Sequence, residues 1–195
     1  MKPRVFRSRG AWILGWVWLV FAALNAVDLI ARGSLPSSLI AGSVLGVLTA
    51  VIYVTCLRPG IVLRQDGVLV RNPLRDAFIP WGALGDVRVT HAIHLESGER
   101  TVRSWTPQVS TRELTRSARA GSRDVSGGRN AAHAEALAGR THAHWIAEQI
   151  TEEAARGRSR GGDTAGAFSL TWSPVSLAVV AAALVLVVVG LVAAL

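Results

Sequence analysis

RPGIVLRQDGVLVRNPLRDAFIPW, residues 58–81, follows directly on an apolar run and reads as strands broken by turns. Residues 61–65 and 68–72 are β-rich and flank Asp66-Gly67. That dipeptide predicts a two-residue hairpin, with Gly67 at the positive φ of a type I′ turn. Asn72-Pro73 marks a second turn. Residues 76–81 read as a third strand, which Pro80 restricts to an edge or a strand end. The alternation in VRVTHAIHL, residues 87–95, predicts one half-buried strand with Val87, Val89, His91, Ile93 and Leu95 on one face. Ser97-Gly98-Glu99 then turns the chain into residues 100–105. Five short strands in close succession favour an antiparallel meander closing toward a small barrel or sandwich.

This β-rich stretch lies between apolar runs at residues 11–30, 38–57 and 175–195. Each is about 20 residues long, enough for a helix to cross the roughly 30 Å hydrocarbon core. The first is too long for a signal peptide, and another span follows at once. Lys2, Arg4, Arg7 and Arg9 precede the first span. Arg58 and Arg64 follow the second, and Arg156, Arg158 and Arg160 precede the third, whereas the short loop 31–37 carries only Arg32. The positive-inside rule predicts a multi-pass protein of the cell membrane. Its basic N-terminus (1–10) and middle domain (58–155) are expected in the cytoplasm, and its C-terminus at the outer face.

Gly33 and Pro36 predict a tight turn between the first two spans. Ser38, Gly42, Gly46 and Ala50 recur every four residues, a small-residue ladder that lets helix backbones approach closely. Two readings remain open at these four: packing within a three-helix bundle, or homodimerisation into a possible homo-oligomer. Asp28 stands four residues before Arg32, the spacing of a helical ion pair. Trp12, Trp16, Trp18 and Trp172 suit aromatic anchoring at an interface.

Beyond the strands, residues 111–130 are polar and Arg-rich and read as a flexible loop. Residues 131–155 read as a helix bearing Leu137, Trp145, Ile146 and Ile150; Gly139 weakens it without excluding it. A linker and juxtamembrane segment, 156–174, follows, in which 167–172 is either a last strand or a juxtamembrane stretch.

Strands in series followed by one Trp-bearing helix is the layout of a pleckstrin-homology-like domain. RPGIVL at 58–63, DGVLVRNPLR at 66–75, IPW at 79–81 and a strand beginning near Val87 resemble one family. It is the bacterial PH-like domain family of actinobacterial membrane proteins, of the low-molecular-weight protein antigen type. The resemblance covers residues 58–105. It implies an antiparallel PH-like β-barrel capped by one helix, an α+β domain attached to a multi-pass α-helical membrane protein. It brings no catalytic residues with it.

The residues offer little chemistry. Cys56 is the only cysteine, so disulfides and multi-cysteine metal sites are excluded; it is either acylated or a bystander. His91 and His94 are three apart on a strand, so they face opposite ways. His142 and His144 are about 200° apart on a helix, so neither pair has ligand spacing. No catalytic residue, cofactor or metal is expected. The formal charge of +8 fits nucleic acid or a membrane surface. Residues 58–160 hold 16 Arg against 11 acidic residues and no recognisable binding motif, which argues against nucleic acid. The loop arginines Arg112, Arg116, Arg119, Arg123 and Arg129 are the candidate contacts for a partner or for anionic lipid. The expectation is a non-catalytic, membrane-anchored module that binds a protein partner or anionic inner-leaflet lipid. The alternative is a structural subunit of a membrane complex acting through helix packing.

Overall fold

The computed structural model describes residues 4–90, 92–108, 142–159 and 167–194. In chain order, β1 (Arg4–Phe6) leads into α1 (Arg9–Arg32). Ser8 caps α1, its Oγ accepting from the Ala11 N–H at 3.4 Å. α2 (Ser37–Ile52) continues as a π-turn over Tyr53–Leu57, closed by the Arg58 N–H donating to the Tyr53 carbonyl at 3.1 Å. There follow β2 (Gly60–Leu63), β3 (Gly67–Arg71), β4 (Arg75–Pro80) and a 3-10 turn at Trp81–Ala83. Then come β5 (Val87–Val89), β6 (Ala92–Ser97), β7 (Arg100–Gln108), α3 (His142–Ser159), β8 (Ser169–Trp172) and α4 (Pro174–Ala194).

The strands form two antiparallel sheets, ordered β1-β2-β3-β4-β8 and β5-β6-β7. Among the described residues no pairing closes them into the expected barrel. The chain divides into two compact units. One holds β1, β2, β5, β6, β7, α3 and most of β3 and β4; the other holds the three long helices, the turn 71–76 and the end of β8.

The first unit is built on alternation. Ile61, Val68, Val70, Ile79, Ile93 and Leu95 are fully buried. Ile146 and Ile150 of α3 close over them, with Ala143 and Ala154 on the same helix face. One turn differs from expectation. Arg64 N–H donates to Gly67 O at 2.9 Å, so Gln65 and Asp66 form the turn and Gly67 begins β3. Gly67 does not have a positive φ; the described glycine that does is Gly98, at 58°, between Ser97 and Arg100. Gly67 is needed for closeness instead. A methyl there would lie 2.9 Å from both Pro80 Cα and Phe78 Cζ, and closer still to the Ile79 carbonyl.

Residues 87–95 are not one strand. The chain reverses between Val89 and Ala92, so that Val87 pairs with Leu95 and Val89 with Ile93. Directly opposed residues share a face. Val87, Val89, Ile93 and Leu95 therefore keep the common face that the alternation implied, while the strand becomes a hairpin. His91 lies outside the described residues. The N-terminal segment, expected only to be basic, contributes β1, with Val5 paired to Val62. α3 runs four residues beyond the expected end and places Gly157 against Trp81, where a methyl would be 2.6 Å from Trp81 Cγ. Residues 169–172 form a last strand rather than a bare juxtamembrane stretch.

In the second unit, α1, the α2 stretch Ser37–Leu57 and α4 are each long and apolar enough to cross a membrane. Trp18 Nε1 donates to Thr49 Oγ1 at 3.1 Å, joining α1 to α2. Asp28 and Arg32 pair at 3.5 Å, as their spacing implied.

Candidate functional site

Among the described strands β5 is the end of its sheet. A groove of about 650 Å³ runs between it and α3. The strand side is formed by Val87 and Val89, both half-buried against the core. The helix side carries two ridges at helical spacing: His144, Glu148 and Glu152, and beside them Ala147, Thr151 and Ala155. The core face of the same helix is Ala143, Ile146, Ile150 and Ala154. α3 is thus apolar on one side and small and acidic on the other.

Hydrogen bonding fixes which way β5 faces. The Glu96 N–H donates to the Asp86 carbonyl at 3.0 Å, and the Thr90 N–H to the Ala92 carbonyl at 3.1 Å. Residues 86 and 90 therefore bond toward β6. Because bonding alternates along an antiparallel strand, Val87 and Val89 turn their backbone groups to the open edge. The Val87 N–H is taken by Asp86 Oδ1 at 2.9 Å. Asp86 also accepts from Arg88 Nε at 2.9 Å, and Arg88 reaches Glu96 at 3.4 Å. The bond from Arg88, then that from the Val87 amide, holds the Asp86 carboxyl below the ordinary aspartate range; the same pairing raises Arg88.

Of the arginines expected to collar a membrane face, Arg58 and Arg156 are engaged by carboxylates within the protein. Arg58 has a nearly buried side chain and binds Asp76 Oδ1 at 2.7 Å. Its other nitrogen donates to the carbonyls of Asn72 and Pro73, so one guanidinium clamps the β3–β4 turn. Arg75 stacks over Trp172 at 4.2 Å and Arg100 over Phe168 at 5.2 Å. Arg156 pairs with Glu153 at 3.1 Å and Glu152 at 3.6 Å. Arg112, Arg116, Arg119, Arg123 and Arg129 lie outside the described residues.

The helical ladder divides. A methyl on Gly46 would strike Leu186 of α4, whereas Gly42 has nothing within 4 Å. Gly190 of α4 packs reciprocally on Ser43. Ser38 bonds the Ser34 carbonyl at 2.7 Å, and Ala50 lines an apolar cavity of about 390 Å³ with Val54, Leu74 and Leu184. Among the described residues no group of three His, Cys, Asp or Glu side chains is placed to hold a metal. Sequence reasoning missed the Arg58 clamp and the β5–α3 groove. The clamp's one signal is the Arg58, Asn72-Pro73, Asp76 series; the groove's is the small-residue ridge of α3.

Two antiparallel sheets backed by one helix give the strand-then-helix layout of a pleckstrin-homology-like domain, in a chain that also has three membrane-length helices. Residues 58–140 match the family model of the bacterial PH domain. The bacterial PH-domain part of the resemblance carried by residues 58–105 is confirmed there, and the match extends past them. No curated protein and no solved structure matches the chain.

Proposed function

We propose that the protein is a membrane-anchored, non-catalytic interaction module that docks a protein partner on its PH domain. In this reading α1, α2 and α4 cross the cell membrane, and the N-terminus and PH domain share the cytoplasmic side. The observation that carries it is the open β5–α3 groove in a PH domain whose chain also has three membrane-length helices. The pairing of β1 with β2 supports the sidedness. The chain leaves that sheet before α1 and re-enters it after α2, as an antiparallel pair of spans requires. The excess of basic residues beside that end supports the cytoplasmic assignment.

A basic residue near an anionic surface contributes about 1 kcal/mol when its charge is available. Arg58 and Arg156 are held by carboxylates, and Arg75 and Arg100 by aromatic rings. The groove lining, with Glu148 and Glu152 and no lysine or arginine, favours a protein partner over an anionic lipid headgroup. The test is site-specific photocrosslinking of the full chain in its native membrane, with the photoreactive residue at Glu99 or at Thr151. Discrete protein adducts are expected. Adducts with lipid alone, or none from either position, would overturn the docking reading.

A further inference from the structure

We infer that the unit of long helices holds a phospholipid, with an acyl chain in the cleft between α2 and α4 and the phosphate against Arg75. The inference rests on the reading that these helices cross a membrane, and it is independent of the docking groove. The cleft is the apolar cavity of about 390 Å³. α2 and α4 touch where Gly46 meets Leu186 and where Ser43 meets Gly190. Nearer the β3–β4 turn they present Ala50 and Val54 on one side and Val180 and Ala183 on the other, and the cleft lies between. Pro73 and Leu74 close the end at the turn. That end is tied to both helices. Arg58, just after the π-turn of α2, donates to the Asn72 and Pro73 carbonyls, and the Ser173 N–H, just before α4, donates to the Leu74 carbonyl at 2.9 Å.

The lining decides the occupant. Among the described residues only Thr55 brings a polar side chain to it, and that hydroxyl already donates to the Val51 carbonyl at 2.7 Å. A trapped water needs roughly two to four polar partners, which this lining does not offer. Hydrocarbon fits it. Val51 and Leu184 are exposed, so the cleft opens to the surroundings of the helices, which in a membrane are acyl chains. Its length fits one leaflet. Val47 stands about 15 Å along α2 from Leu57, and Val187 about 20 Å along α4 from Pro174. Half of the hydrocarbon core is about 15 Å. Arg75 supplies the charge. It follows Leu74 in the chain, is exposed, and stacks over Trp172 at 4.2 Å. Stacking uses the face of the guanidinium and leaves its in-plane N–H groups and its charge for an anion. The neighbouring carboxylate, Asp76, is matched by Arg58. A free cation beside a hydrocarbon cleft is complementary to the phosphate and acyl chain of one molecule.

The probe is phosphatidylglycerol, with a diacylglycerol of the same chains as its control. Each is titrated into the full chain in detergent, and bound lipid is counted by native mass spectrometry. Phosphatidylglycerol should be retained in preference to diacylglycerol. Ala50→Leu and Ala183→Leu each put a larger apolar side chain into the cleft and should remove the bound lipid while the circular dichroism stays that of the parent. Arg75→Gln should weaken phosphatidylglycerol binding about fivefold, the effect of one basic contact, and leave diacylglycerol unchanged. No lipid retained by the parent, equal retention of the two lipids, or retention that survives both leucine substitutions would overturn the inference. Flotation of the parent with proteoliposomes separates two kinds of failure. A chain that floats but retains no lipid loses this site alone, whereas a chain that does not float loses the membrane reading as well.

Discussion

Arg58 shows how one side chain changes meaning between a sequence and a fold. Beside an apolar run it reads as one of several charges that set orientation. In the structure it is an internal clamp on Asp76 and on the carbonyls of Asn72 and Pro73. Removing one partner of a buried pair leaves the other charge stranded. Asp76→Ala should therefore lower stability by about 3 kcal/mol, the lower end for such pairs because Asp76 keeps some exposure. Thermal unfolding of the detergent-solubilised chain measures this, and an unchanged midpoint would show that the clamp is not needed. Asp86 makes the electrostatic counterpart at the surface. Its folded pKa is depressed, so its contribution is present above the ordinary aspartate range and is lost as pH falls through the folded value. Arg88→Ala should move the Asp86 titration back toward the ordinary range, as followed by carboxyl chemical shifts. An unmoved titration would mean that Arg88 does not hold it.

Elements were legible where periodicity was long and obscure where it was short. The three apolar helices needed only length and composition. β1 has three residues, too few for a period to show, and its partner β2 lies beyond two helices. The β5–β6 reversal was hidden because Thr90 to Ala92 holds no Gly, Pro, Asn or Asp; its parity nevertheless kept the buried face intact. Half of the groove was therefore visible, as the Val87/Val89 face, while the open edge was not. On α3, Ala147, Thr151 and Ala155 look like any solvent face until β5 is placed opposite them. Glycines were misread for a related reason. Gly67 suggested a turn, but its role is the approach of β4, a tertiary fact that no local pattern encodes. Gly157 serves the same end against Trp81, whose indole N–H donates to the Gln65 carbonyl at 3.0 Å. Gly157→Ala should overpack this contact at a cost of about 1–3 kcal/mol. Tryptophan fluorescence of the variant should shift as Trp81 is displaced, and native stability and emission would show instead that the contact relaxes freely.

At the scale of the whole molecule, the functional reading depends on where the PH domain stands. β1 and β2 belong to one sheet, so the segments before α1 and after α2 must lie on one side of any membrane that those helices cross. If α4 crosses as well, its end lies on the other side. The direct measurement is labelling by a membrane-impermeant thiol reagent in intact cells, using single cysteines in a Cys56→Ala background. Ser34→Cys, between the first two helices, should label in intact cells. Glu99→Cys, at the tip of the β6–β7 turn, should label only after the membrane is opened. Labelling of Glu99→Cys in intact cells would put the docking surface on the outer side and contradict the account.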